Sequence, residues 1–193
     1  MTTSERLVES TRELLWERGF TGTSPKAILR RAGVGQGSMY HHFAGKSDLA
    51  LAAIRRTAEV MRATADTALS GDGSACDRVR AYLLRERDVL RGCPVGRLTM
   101  DPDVIADPAL RQPVFETLDW LRGRIAGILR EGCERGEFDA ELEPEETAAA
   151  VVATVQGGYV LARAAESPAP FDTAVRGVLS LLTARTTGPA PTA

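Results

Sequence analysis

The densest run of chemistry-bearing side chains is "GVGQGSMYHHF", Gly33 to Phe43, where two imidazoles sit between two aromatic rings just after three glycines. Three chemistries could use such a run: metal ligation by the histidines, a glycine-rich phosphate cradle, or the reading end of a nucleic-acid-binding helix. His41 and His42 are adjacent, so on a helix they should point apart, and no Cys, Asp or Glu stands nearby at ligand spacing. A cradle built on Gly35 and Gly37 needs a preceding strand, and the sequence offers none. The third chemistry agrees best with the charges. Between Ser24 and Ser47 the only charged residues are Lys26, Arg30, Arg31 and Lys46.

That basic cluster stands out against the rest of the chain. Residues 1–60 carry nine Lys/Arg and six Asp/Glu, a net +3 in a chain whose total is −2, so the remainder carries −5. Such an asymmetry points to a polyanionic partner contacted by one end, against the plainer reading of a solvated basic face. The 193 residues fit one ordinary domain, or one with a small appendage, and can bury a core without staples. No stretch is apolar enough to span a bilayer, and "MTTSERLVES" lacks the apolar centre of a signal peptide. Cys76, Cys93 and Cys133 are far apart and odd in number, which suits a reducing cytoplasm better than a disulfide framework.

Apolar residues recur at helical spacing, and period-two β-branched runs are missing, so the fold class is all-α. A first helix reads "SERLVESTRELLWERG", with Gly19 as its stop. A second starts at Ser24 as N-cap, with Pro25 at the first helical position, and ends at Gly33. A third runs through "GSMYHHF", and Ser47 with Asp48 caps a long fourth. After "SGDGS" a fifth helix is expected over about Cys76 to Arg91, then long helices over about 110–135, 145–166 and 171–185. The expected organisation is a three-helix head over 1–46, a helical body over 47–185, and a disordered tail over 186–193.

Two short helices joined by a glycine-containing turn, beside a basic patch, describe a helix-turn-helix. Met39 and Phe43 would face the small core, leaving Gln36, Ser38, Tyr40 and His41 for DNA. "GFTGTSPKAILRRAGVGQGSMYHHFAGKSDL" resembles the N-terminal domain of the TetR family of bacterial transcriptional regulators, through Gly19-Phe20, Thr23-Ser24, Ile28, Ala32-Gly33-Val34, Gly37-Ser38, Tyr40, His42-Phe43, Lys46 and Leu49. The resemblance implies a homodimer, a near-palindromic operator, and release by a small molecule held in the helical body. By the same resemblance Tyr40 is a phosphate contact through its hydroxyl, and Ser24 is the hydroxyl residue that caps the second helix. Lys46, ahead of the fourth helix, can hold a phosphate together with that helix N-terminus. Lys26 and Arg30 serve as backbone anchors. Gln36, Gly37 and Ser38 lie at the reading end, where a bidentate Gln favours adenine. Two positions depart from the pattern: Gly35 replaces the usual Ser or Thr, and Leu29 the usual Ala.

In the body, the helix over 145–166 is apolar on nearly every side, as if one side met the interior and the other a second subunit, with Gly157-Gly158 permitting close approach. With the helix over 171–185 it resembles the family's dimer interface. Tyr82, Glu86, Trp120 and Tyr159 are the candidate effector lining; Glu86 falls within an apolar stripe, either paired with an arginine, snorkelling at the stripe's edge, or lining a cavity. Cys93, before Pro94 in "GCPVGRL", is a candidate thiol sensor or a buried bystander. No nucleophile–base or metal constellation appears, and no enzyme or cofactor is expected. A helical small-molecule carrier whose head does not read DNA is the other reading, and Gly35 is the feature that feeds it.

Overall fold

The structure is a computed structural model that describes residues 1–187, and the fold is all-α. The helices are α1 (Thr3–Arg18), α2 (Pro25–Ala32), α3 (Gln36–His42), α4 (Lys46–Leu69), α5 (Ala75–Leu84), α6 (Pro102–Ala106), α7 (Pro108–Glu134), α8 (Pro144–Ala164) and α9 (Ala169–Thr183), with a 3-10 turn at Gly96–Met100. The chain forms two compact units. One comprises Met1–Met61 with Cys93–Leu118, and the other Arg62–Gly92 with the chain from Asp119.

The local rules that start and stop the first helices operate as expected. The Ser24 hydroxyl accepts from the Ala27 amide, Pro25 follows it, and Gly33 closes α2 in the left-handed conformation at φ 63°. A side chain there would strain the backbone, so glycine makes the abrupt turn into α3 possible. The core of the head consists of Leu7, Leu14, Ala27, Ile28, Ala32, Met39 and Leu49, with Phe43 and Leu29 packed against it. At α4 the expectation misses: the helix begins at Lys46, so Ser47 and Asp48 lie in its first turn and not at its cap, although Asp48 Oδ2 reaches back to accept from the Ala44 amide at 3.0 Å.

In the second unit, α5 is shorter than its sequence period suggests. It ends at Leu84 rather than near Arg91, because the Arg87 guanidinium turns back onto the helix end. Its Nη1 donates to the Leu83 and Arg85 carbonyls at 2.6 and 2.9 Å, and its Nη2 to that of Tyr82. Those of Tyr82 and Leu83 are carbonyls that a further helical turn would have bonded. Thr186 and Thr187, which the sequence places in a disordered tail, are tied to the turn after α7. Thr186 bridges to Phe138, and the Thr187 amide donates to the Glu137 carbonyl at 2.9 Å. The rest of that expected tail, residues 188–193, lies outside the described residues.

α8 and α9 pack closely. Phe171 stacks on Tyr159 at 4.8 Å, and a Cβ on Gly158 would come within 2.8 Å of the Phe171 ring. Of the two glycines expected to admit a second subunit, Gly158 is therefore used within the chain. Gly157 is exposed, and a Cβ there would meet nothing within 4 Å. Gly158→Leu should destabilise the protein by about 1–3 kcal/mol through overpacking. Gly157→Ala should leave stability unchanged or raise it by up to about 1 kcal/mol through helix propensity. Urea unfolding of both variants checks this pair of signs.

Candidate nucleic-acid interface

α3 has seven residues, and only Met39 is buried. The remaining positions present a short polar face. Gln36, Gly37, Tyr40 and His41 are exposed and Ser38 is half-buried. Tyr40 leaves 54% of its surface open, unusual for a large ring unless it has an external partner. The α3 N-cap is Gly35, and no side chain caps the helix, so its first amides remain available at the exposed end. A Cβ at Gly35 would meet nothing within 4 Å, so the missing hydroxyl reflects the residue chosen and not a lack of room.

The cations of the patch differ in their engagements. Arg31 forms a two-pronged pair with Glu17, at 2.8 and 2.7 Å, which holds its guanidinium above the ordinary arginine range. Lys26 and Arg30 are exposed, and neither forms an ion pair among the described residues. Ser24, also exposed, keeps its hydroxyl on the α2 N-terminus. Lys46 is not a free cation on a tether: its Nζ lies 3.9 Å from the centre of the buried Phe20 ring. That contact fixes the ammonium at the start of α4, where the helix dipole adds to its attraction for an anion.

His41 and His42 are both exposed, and their rings meet edge to face at 4.8 Å instead of diverging. His42 lies 6.4 Å from the Phe43 ring in a second edge contact. No cluster of three metal-binding side chains occurs among the described residues.

Sequence reasoning missed one residue of this unit. Asp101, 7% exposed, caps α6 and also holds the turn between α1 and α2. Its Oδ2 accepts from the Phe20 and Thr21 amides at 2.6 and 2.9 Å, and its Oδ1 from the Thr21 hydroxyl at 2.8 Å. Burial opposes its charge, but the donors of Thr21, Val104 and Phe20 outweigh it and hold the carboxyl below its ordinary range. An Asp directly before a proline, in "MDPDV", is a helix-start signature that marks α6; nothing in the sequence marks its second partner.

The candidate effector residues are partly brought together. Tyr82 is buried and lies 5.2 Å from the Arg87 guanidinium, which in turn lies 5.6 Å from the Phe171 ring that stacks on the buried Tyr159. Glu86 is not on the α5 stripe, because the helix ends before it. It is exposed in the following turn and borders a groove of about 370 Å³ with Leu83, Arg87, Phe171, Val175 and Arg176. It forms no ion pair with an arginine among the described residues. Trp120 faces Arg62 instead, at 6.0 Å, and its neighbour Arg124 is taken up by Asp66 at 2.8 Å and Ser70 at 3.1 Å. Cys93 is buried, and its Sγ accepts from the Gly96 amide at 3.1 Å.

A short helix with an open reading face, followed by a lysine-bearing helix start, is the geometry of a helix-turn-helix. Known proteins decide the family. The profile described as "Bacterial regulatory proteins, tetR family" matches residues 7–53, and that described as "Tetracyclin repressor-like, C-terminal domain" matches residues 74–178. The chain belongs to the TetR family. It is thus a DNA-binding transcriptional regulator, from a family of regulators and not of enzymes. The transcriptional regulator AcuR of Cereibacter sphaeroides is 27% identical over 179 residues, covering 89% of this chain and 81% of that protein. The transcriptional repressor NemR of Escherichia coli is 25% identical over 191 residues, covering 93% of this chain and 94% of its own. The crystal structure of a TetR regulator from Chloroflexus aurantiacus superposes with a TM-score of 0.84 at 29% identity, covering 95% of this chain and 96% of that one.

Gly37 offers a test that separates reading from folding. A Cβ there would meet nothing within 4 Å, and glycine costs a helix about 1 kcal/mol relative to alanine. Gly37→Leu should therefore leave the melting temperature unchanged or higher, while DNA affinity falls at least about tenfold because bulk enters the reading face. Thermal denaturation and a fluorescence-anisotropy titration measure the two effects.

Proposed function

We propose that this TetR-family chain acts in the cytoplasm as a homodimeric repressor of a near-palindromic operator and is released by a small-molecule effector. The observations that carry this reading all fall within the α2–α3–α4 stretch of the chain: the exposed Tyr40, Lys26 and Arg30 without an ion pair among the described residues, and the ring-anchored Lys46. Residues 1–46 would supply the DNA-reading part and 47–185 the effector-binding and dimerising part. In the reader, Tyr40, Ser24, Lys26, Arg30 and Lys46 meet phosphates, while Gln36, Gly37, Ser38 and His41 face the base edges of the major groove.

The dimer would form through α8 and α9. Val160, Leu161 and Leu181 are 68%, 54% and 72% exposed on these two helices, an apolar surface suited to an isologous pairing. Two heads held this way would address half-sites one helical turn apart, about 34–36 Å. The relatives AcuR and NemR, named as a regulator and a repressor, support the sense of regulation. Tyr82, Glu86, Trp120 and Tyr159 are the proposed effector contacts; Glu86 alone of the four borders the groove beside α5 and α9. An effector that prefers the arrangement unable to bind DNA would shift the population toward it, through a movement of α4.

The salt dependence of operator affinity tests the phosphate contacts. The wild-type slope of log K against log salt should be steep, and it should become shallower by about 0.9 for each charged phosphate contact removed. Lys46→Gln removes one charged contact per protomer and should reduce the slope without changing the preferred sequence, while Tyr40→Phe removes only a neutral hydrogen bond and should lower the affinity about equally at every salt concentration. An unchanged slope in Lys46→Gln, or an unchanged affinity in Tyr40→Phe, would remove that residue from the interface.

A further inference from the structure

Three observations converge on the turn between α1 and α2. Asp101 is buried, yet it stands outside the helix-turn-helix, in the segment over 93–118 that joins the first unit. Its carboxylate receives the Phe20 and Thr21 amides and the Thr21 hydroxyl from the turn, and the Asp103 and Val104 amides from α6, so both oxygens are saturated. Gly19 lies at φ 74°, and a Cβ on it would come within 2.7 Å of Asp101 Oδ2, so the carboxylate reaches the turn only because that position has no side chain. Finally, Phe20, whose amide Asp101 holds, carries the Lys46 ammonium 3.9 Å above its ring.

We infer that Asp101 is a positioning residue for DNA recognition: it fixes Phe20, and through the Phe20 ring it fixes the Lys46 ammonium that meets the phosphate. The inference rests on the reading of Lys46 as a phosphate contact. It makes the segment over 93–118 a determinant of DNA affinity although none of its residues lies in the helix-turn-helix. A buried carboxylate suits this task. Two amides and a hydroxyl converging on one group define a direction, and a charge-assisted set of bonds resists rotation better than a neutral one. The ring then limits where the lysine can go, and less freedom is lost when it meets DNA.

The test is a double-mutant cycle on operator affinity, using Asp101→Asn and Lys46→Gln in the full chain. Asparagine keeps the shape but turns an NH2 group toward donors on one side. Asp101→Asn should weaken operator binding about tenfold, flatten the salt slope as Lys46→Gln does, and accelerate hydrogen exchange at the Phe20 and Thr21 amides. In the double variant the two losses should not add. Additive losses, or an Asp101→Asn variant with wild-type affinity and slope, would overturn the inference. Phe20→Leu, which keeps an apolar filler but removes the ring, should reproduce the slope change and the non-additivity with Lys46→Gln. It keeps the test open if Asp101→Asn does not fold. Should Lys46→Gln leave the slope unchanged and Tyr40→Phe leave the affinity unchanged, the reading of the interface fails. A normal loss in those two with none in Asp101→Asn defeats only the positioning role.

Discussion

The proposed reading of DNA depends on a helix that cannot stand alone. α3 has seven residues, well below the roughly 12–15 that an isolated helix needs for stability in water. Its N-cap, Gly35, contributes no side-chain bond, so neither propensity nor capping holds it. Burial of Met39 among Leu7, Leu14, Ile28 and Leu49 does, and fully burying such a side chain is worth about 1.5–3 kcal/mol. The left-handed turn at Gly33 fixes where the helix begins. With only Met39 committed to the core, the other positions of α3 are free for recognition.

The charges around that helix are sorted by geometry. Arg31 is spent on Glu17 and helps hold α2 against α1, a surface pair worth about 0–1 kcal/mol. Lys26 and Arg30 are exposed and form no ion pair among the described residues, and such cations give up least when they meet phosphate. Lys46 is intermediate, anchored to a ring yet partly open. An excess of acids elsewhere keeps the whole chain slightly negative, which discourages indiscriminate binding and leaves the attraction local.

Much of the head was legible in the sequence because its signals are local. Ser24-Pro25, Gly33 and the Met39–Phe43 spacing each state a helix boundary or an inward face within a few residues. The features that escaped are tertiary. The end of α5 is set by Arg87 folding back onto carbonyls, in a polar run that reads equally well as continued helix. Gly158 reads in the sequence as available to a partner, but Phe171 lies against it within the chain. Asp101 carries a clear local signature for α6, but its bonds to Phe20 and Thr21 join residues 81 and 80 apart. His41 and His42 diverge along the backbone, while their rings converge through side-chain rotation. The effector lining was the least legible, because Tyr82, Glu86, Trp120 and Tyr159 come from three helices and a turn whose end the periodicity misplaces.

The central claim, that the α3 face reads DNA as part of a two-fold symmetric pair, is tested most directly by selecting DNA from a random pool on the purified, untreated protein. The account predicts enrichment of an inverted repeat whose half-sites lie about 34–36 Å apart, one helical turn. Enrichment of no motif, or of a single unpaired half-site, would contradict it.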